Sequence, residues 1–176
     1  MLKASKNKKT NPKDVPAKAY PALVLRHQLI AKTMNMRALH DHGFHPLDII
    51  LFGNQAGFSE VFKNIKEQVE PKEAGETINV IVIESNLGKA GDEEANEEVL
   101  SYLAKKYPGA FFCIKGNTPT SLGAAQTHLK KLIPENQIFV CPDIKGIQFK
   151  ESLTEINGAL SASEMHVPEQ SGQNTP

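Results

Sequence analysis

Val80-Ile81-Val82-Ile83 is an unbroken run of β-branched apolar residues. Branching at Cβ favours extended backbone. A strand with one wet face alternates apolar and polar residues, whereas this run does not, so it reads as buried on both sides. A parallel sheet covered by helices on both faces provides that environment. Four further runs share the pattern: Ala22-Leu23-Val24-Leu25, Ile49-Ile50-Leu51-Phe52, Phe111-Phe112-Cys113-Ile114 and Ile138-Phe139-Val140. Their starts, counted with Val80, lie 27, 31, 31 and 27 residues apart. That interval fits one strand, one crossover helix and two loops. The prediction is an α/β domain: a five-stranded parallel sheet with helices on both faces, in the order 2-1-3-4-5 common to such repeats.

Between the runs, apolar residues recur at helical spacing. A helix is predicted over about 27–42, with Leu29, Ile30, Thr33, Met34 and Arg37 on one repeat. Phe58, Val61, Phe62, Ile65 and Val69 form the stripe of the next. A third, about 93–107, turns Val99, Leu100, Leu103 and Tyr107 inward behind an acidic first turn. Thr118 is placed to cap a fourth, with Pro119 at its first position. Leu122, Ala125, Leu129 and Leu132 are its predicted inner face, and Lys130-Lys131 its end. The last starts near Asp143 and buries Phe149, Leu153, Ile156 and Leu160.

The 176 residues accommodate one such domain with tails. Residues 1–18 carry six lysines and one acid and are interrupted by Pro12 and Pro16, which reads as a flexible basic arm. Residues 19–160 hold the five repeats. Residues 161–176 have little to bury and read as a disordered tail. Twenty basic and twenty acidic residues balance, which makes no electrostatic case for nucleic acid. No apolar run approaches the ~18 residues of a membrane span, and no signal-peptide segment follows the basic start. Cys113 and Cys141, both in or beside strands, read as reduced buried thiols, so a cytoplasmic location is expected.

In this sheet order chemistry belongs to the loops beyond the carboxyl ends of the strands. There the chain resembles a response-regulator receiver domain, one of the flavodoxin-like folds, over roughly residues 20–160. The resemblance rests on Val80-Ile81-Val82-Ile83-Glu84 with Ser85-Asn86-Leu87, on Lys106-Tyr107-Pro108, and on Ile138-Phe139-Val140-Cys141-Pro142. It implies that Arg26 and His27 occupy the places of the magnesium-holding acids, Glu84 that of the phosphoacceptor aspartate, and Lys115 that of a strand-four hydroxyl residue. It likewise puts Cys141 at the phosphoryl-contacting lysine and Ile138 at the switch aromatic. Every chemical position of the family is therefore changed. Phosphoryl transfer to a carboxylate needs a divalent cation, and that cation prefers oxygen ligands. A guanidinium and an imidazole supply none. Glu84, Arg26 and Lys115 are instead expected to form an ionic cluster at the strand ends.

Other groupings carry less. His40, His42 and His45 match no common zinc spacing, and no metal or other cofactor is expected. Gly53-Asn54-Gln55-Ala56-Gly57 lacks the dinucleotide fingerprint and reads as a tight turn. Asp92, Glu93 and Glu94, with Glu97 and Glu98, make an acidic patch. The expectation is a phosphorylation-independent, non-enzymatic pseudo-receiver of bacterial two-component type, contacting another protein through Asp92, Glu93 and Glu94 or through Lys130 and Lys131 and the last two helices. A homodimer is an alternative assembly. An α/β nucleotide- or anion-binding enzyme using loops 53–57 and 115–121, and a receiver still phosphorylated elsewhere, are the competing readings.

Overall fold

A computed structural model describes residues 19–27, 32–52, 62–63, 65–67, 77–85, 93–116, 118–142 and 146–164. Strands β1 (Tyr20–His27), β2 (Phe44–Phe52), β3 (Val80–Glu84), β4 (Phe111–Lys115) and β5 (Ile138–Cys141) make one sheet. Every neighbouring pair is parallel and the order is β2-β1-β3-β4-β5, the common order expected for five such units. Among the described residues four α-helices have defined bounds: α1 (Lys32–Asp41), α2 (Glu93–Lys106), α3 (Pro119–Leu129) and α4 (Ile147–Glu164). Residues 62, 63 and 65–67, between β2 and β3, are also helical.

Alternation along the strands divides the core into two layers. Leu23, Leu25, Ile81, Ile83, Phe112 and Ile114 point to one face, under α2, α3 and Ile65. Ala22, Val24, Val80, Val82, Cys113 and Cys141 point to the other, under α1 and α4. The inner faces of α2 and α4 follow the predicted spacing: Val99, Leu100 and Leu103, then Phe149, Leu153, Ile156 and Leu160, are buried, while Tyr107 is half-buried. Of the stripe before β3, Ile65 is buried and Phe62 half-buried; Phe58, Val61 and Val69 lie outside the described residues.

Several boundaries differ from expectation. β1 and β2 start earlier than their apolar runs, at Tyr20 and Phe44. The extension of β2 contains His45 and Pro46, which break the apolar run. Proline cannot donate to a ladder, but β2 lies at the sheet edge, where this is tolerated. Next to Pro46 the β1–β2 register slips, from Ala22↔Pro46 to Leu23↔Asp48. α1 turns Ala38 and Leu39 inward, and Arg37 faces solvent beside Asp41. Leu132 is not on the inner face of α3. The helix ends at Leu129, the chain turns, and Leu132 is exposed while Ile133 is buried. α4 runs through Glu164, past residue 160 where the sequence reading ends the domain; the tail beyond it and the basic arm lie outside the described residues.

The turn from α1 to β2 shows how the edge is secured. Gly43 adopts φ 82°, a left-handed conformation that suits glycine after a helix. The His42 imidazole Nδ1 donates to the Ala38 carbonyl at 2.7 Å, and Asn157 of α4 donates to the His42 carbonyl at 2.7 Å. Among the described residues no helix is long and apolar enough to cross a membrane.

Candidate functional site

The strand ends bring four of the sequence-predicted positions into one row. Glu84 pairs in register with Lys115, and Lys115 with Cys141. Arg26 follows Leu25, whose partner is Ile83, so the backbone of Arg26 belongs to the same row, with His27 one step beyond. The side chains of Arg26 and His27 lie outside the described residues, and with them the ionic cluster proposed from sequence.

Lys115 is half-buried and lies over an aromatic ring. Its Nζ stands 4.2 Å from the centroid of Phe149, which is itself 1% exposed. An ammonium over a ring face is attracted by the ring quadrupole, and more strongly where water is excluded. Cys141 is fully buried, with its Sγ 3.5 Å from the Ser152 hydroxyl on α4. Cys113 lies on the same face, and neither cysteine forms a disulfide. A hydrogen bond with Cys141, together with burial, pushes the Cys113 thiol well above its ordinary value, against an opposing pull from Lys115.

This shift has a measurable consequence. Below the ordinary thiol range Cys113 is protonated in both the native and the unfolded chain, and its contribution to stability is fully present. As pH rises through that range the unfolded thiol ionises first. The native state then holds the extra proton, and stability is lost until the raised native value is reached. The slope is about 1.4 kcal/mol per pH unit for one proton. Urea unfolding at several alkaline pH values checks this: the wild-type curve should fall more steeply than that of Cys113→Ala.

Beyond β3, Ser85 is buried and donates its backbone N–H to the Lys115 carbonyl at 2.7 Å. Its hydroxyl lies 2.9 Å from that of Ser121 on α3. Ser121 donates its single proton to the Thr118 carbonyl at 3.0 Å, so Ser85 is the donor between the two serines. Gly116 makes this approach possible: a Cβ there would sit 2.2 Å from the Ser85 Oγ. Thr118 holds the N-cap position in extended backbone, but its side chain does not make the capping hydrogen bond, and Ser121 folds back onto its carbonyl instead. Lys115 and Gly116 thus lie close against the start of α3 at Thr118–Ser121, with Asn117 outside the described residues.

The remaining predicted positions are dispersed. Ile138 opens β5 opposite Phe112 and packs under α2 and α3. Lys130 and Lys131 are exposed past the end of α3, where Lys130 pairs with Glu135. Glu93 and Glu94 open α2, their side chains outside the described residues, as are Asp92 and loop 53–57. His42 caps α1, His40 faces Asp41 across 3.9 Å at the surface, and His45 lies exposed in β2. Among the described residues no three His, Cys, Asp or Glu side chains are grouped to hold a metal ion.

One grouping is absent from the sequence reading. On the other side of the sheet, α2 and α3 pack together. There the Ser101 hydroxyl lies 2.8 Å from Nε2 of His128, and Nδ1 of the same ring lies 3.4 Å from a Glu97 carboxylate oxygen. The three open into a groove also lined by Phe62, Tyr102 and Lys105. The four-residue spacing of Glu97 and Ser101 on one helix face was the only legible signal. Chain position alone does not bring His128 to them.

No protein-family model matches the chain, and no similar curated protein or solved structure was found.

Proposed function

We propose that this protein is a receiver-like domain that works by binding another protein and not by accepting a phosphoryl group at its strand ends. Fold alone does not decide function, so the reading rests on the site. The observation that carries it is the engagement of Lys115 with the Phe149 ring beside the buried thiols of Cys113 and Cys141. A phosphoryl acceptor needs a cation free to meet the incoming oxygens. Here the lysine is packed onto α4, and the place that the resemblance gives to a second lysine is Cys141. Glu84, one methylene longer than aspartate, misplaces the acceptor oxygen, and errors near 1 Å cost ~100-fold.

Binding then falls to surfaces away from this row. The exposed Lys130 and Lys131 beyond α3, with α4 and β5, form one candidate surface for a regulatory partner, and the acidic start of α2 forms the other. The test is incubation of the full chain with Mg²⁺ and acetyl phosphate or beryllofluoride, followed by intact mass and amide spectra. The expected result is an unchanged mass and no displaced resonances near Glu84. Gain of one phosphoryl group would overturn the proposal. Resonance shifts with ATP but not beryllofluoride would favour a nucleotide binder.

A further inference from the structure

We propose that Ser101, His128 and Glu97 form a serine-nucleophile site, able to take an acyl group from an activated ester in the groove between α2 and α3. The proposal is independent of the strand-end site, which lies toward α4 on the opposite face of the sheet. Nucleophilic serine chemistry needs a hydroxyl bonded to a base, and a base oriented by a third group. Both relations are present: 2.8 Å from hydroxyl to Nε2, and 3.4 Å from Nδ1 to the carboxylate. A carboxylate only accepts, so the proton of the neutral ring belongs on Nδ1. Nε2 then offers its lone pair to the Ser101 proton.

The setting favours this arrangement. The His128 side chain is 14% exposed and Glu97 54% exposed, so the base is sheltered while the groove remains open. Ser101 is half-buried. Phe62 and Tyr102 meet edge to face at 5.6 Å and form an apolar wall suited to an acyl or aryl group. Helix-interior amides are already bonded, so Ser101 has no backbone oxyanion hole. The cation that could meet a developing oxyanion is Lys105, one turn beyond Ser101 and lining the same groove.

In the reaction the Oγ–carbon bond forms as the bond from the acyl carbon to the leaving group breaks. The hydroxyl proton passes to Nε2 and from there to the leaving group. Water then cleaves the acyl-serine, releasing the acid and restoring the hydroxyl. Each missing oxyanion donor costs ~100–1000-fold, so the first step is better read as covalent labelling than as turnover.

The experiment treats the full chain with a fluorophosphonate probe; the oxygen–phosphorus bond forms as fluoride leaves. Intact mass and peptide mapping locate the adduct. One adduct at Ser101 is expected, absent in Ser101→Ala. Labelling should slow ~100-fold in His128→Asn, the scale of a general base. In Glu97→Gln it should slow about 10-fold, a smaller loss because the carboxylate is half exposed. Circular dichroism checks that each variant is folded, and Glu97→Gln, altered at the surface, keeps the test open if His128→Asn is not. An unlabelled Ser101, or labelling at the same rate in the folded variants, would overturn the proposal and leave the trio as a brace between two helices.

Discussion

Phe149→Ala should lower unfolding free energy by ~3–5 kcal/mol, the usual cost of emptying a buried aromatic site. Phe149 is among the largest fully buried side chains, in the layer that α4 lays on β1, β3, β4 and β5. Urea denaturation reads the loss directly. Phe149→Leu separates two contributions, since it keeps much of the apolar volume but removes the ring under Lys115. Lys115→Met removes the charge and keeps most of the stem. In a cycle with Phe149→Leu, these two substitutions should couple by ~0.5–1 kcal/mol. A coupling of zero would mean that the ring does not hold the lysine. Lys115 would then be open to meet an incoming anion, against the proposed function.

The sheet was legible because burial on both faces leaves unbroken apolar runs, and because a crossover has a nearly fixed length. The edge strand was only partly legible. β2 begins with Phe44-His45-Pro46, whose polar and imino residues are acceptable at an edge but erase the apolar signal there. Leu132 was misplaced because spacing does not mark where α3 ends; the chain leaves the helix after Leu129, and the periodic position then points to solvent. At the strand ends, sequence located the row Glu84, Lys115 and Cys141 but not its contacts, since the Phe149 ring comes from a helix more than thirty residues later. The grouping of Ser101, His128 and Glu97 was hidden for the same reason. Glu97 reads as one of several acids in a patch, and nothing in the sequence singles out His128. Only the packing of α2 on α3 joins them.

Gly116→Ala should destabilise the protein by ~1–3 kcal/mol, although the added group is one methyl. The new Cβ would lie 2.2 Å from the Ser85 Oγ, 3.2 Å from the Ser85 Cβ and 3.3 Å from the Leu122 Cδ2. The hydroxyl can swing away, but it then gives up its bond to Ser121 within a buried site. The Cβ and Leu122 contacts remain tight after that rotation, so backbone at the β4–α3 turn must also yield. Ser85→Gly removes both serine atoms at issue and costs little packing of its own. The double variant should therefore recover most of what Gly116→Ala loses, a favourable coupling of ~1 kcal/mol or more between neighbours. Thermal and urea unfolding of the four proteins give the cycle. Simple additivity would mean that the clash with Ser85 is not what requires glycine at 116, and that the turn is set by Leu122 or by backbone alone. Recovery would establish that β3 and α3 are joined through a serine pair that only a residue without a side chain allows to close.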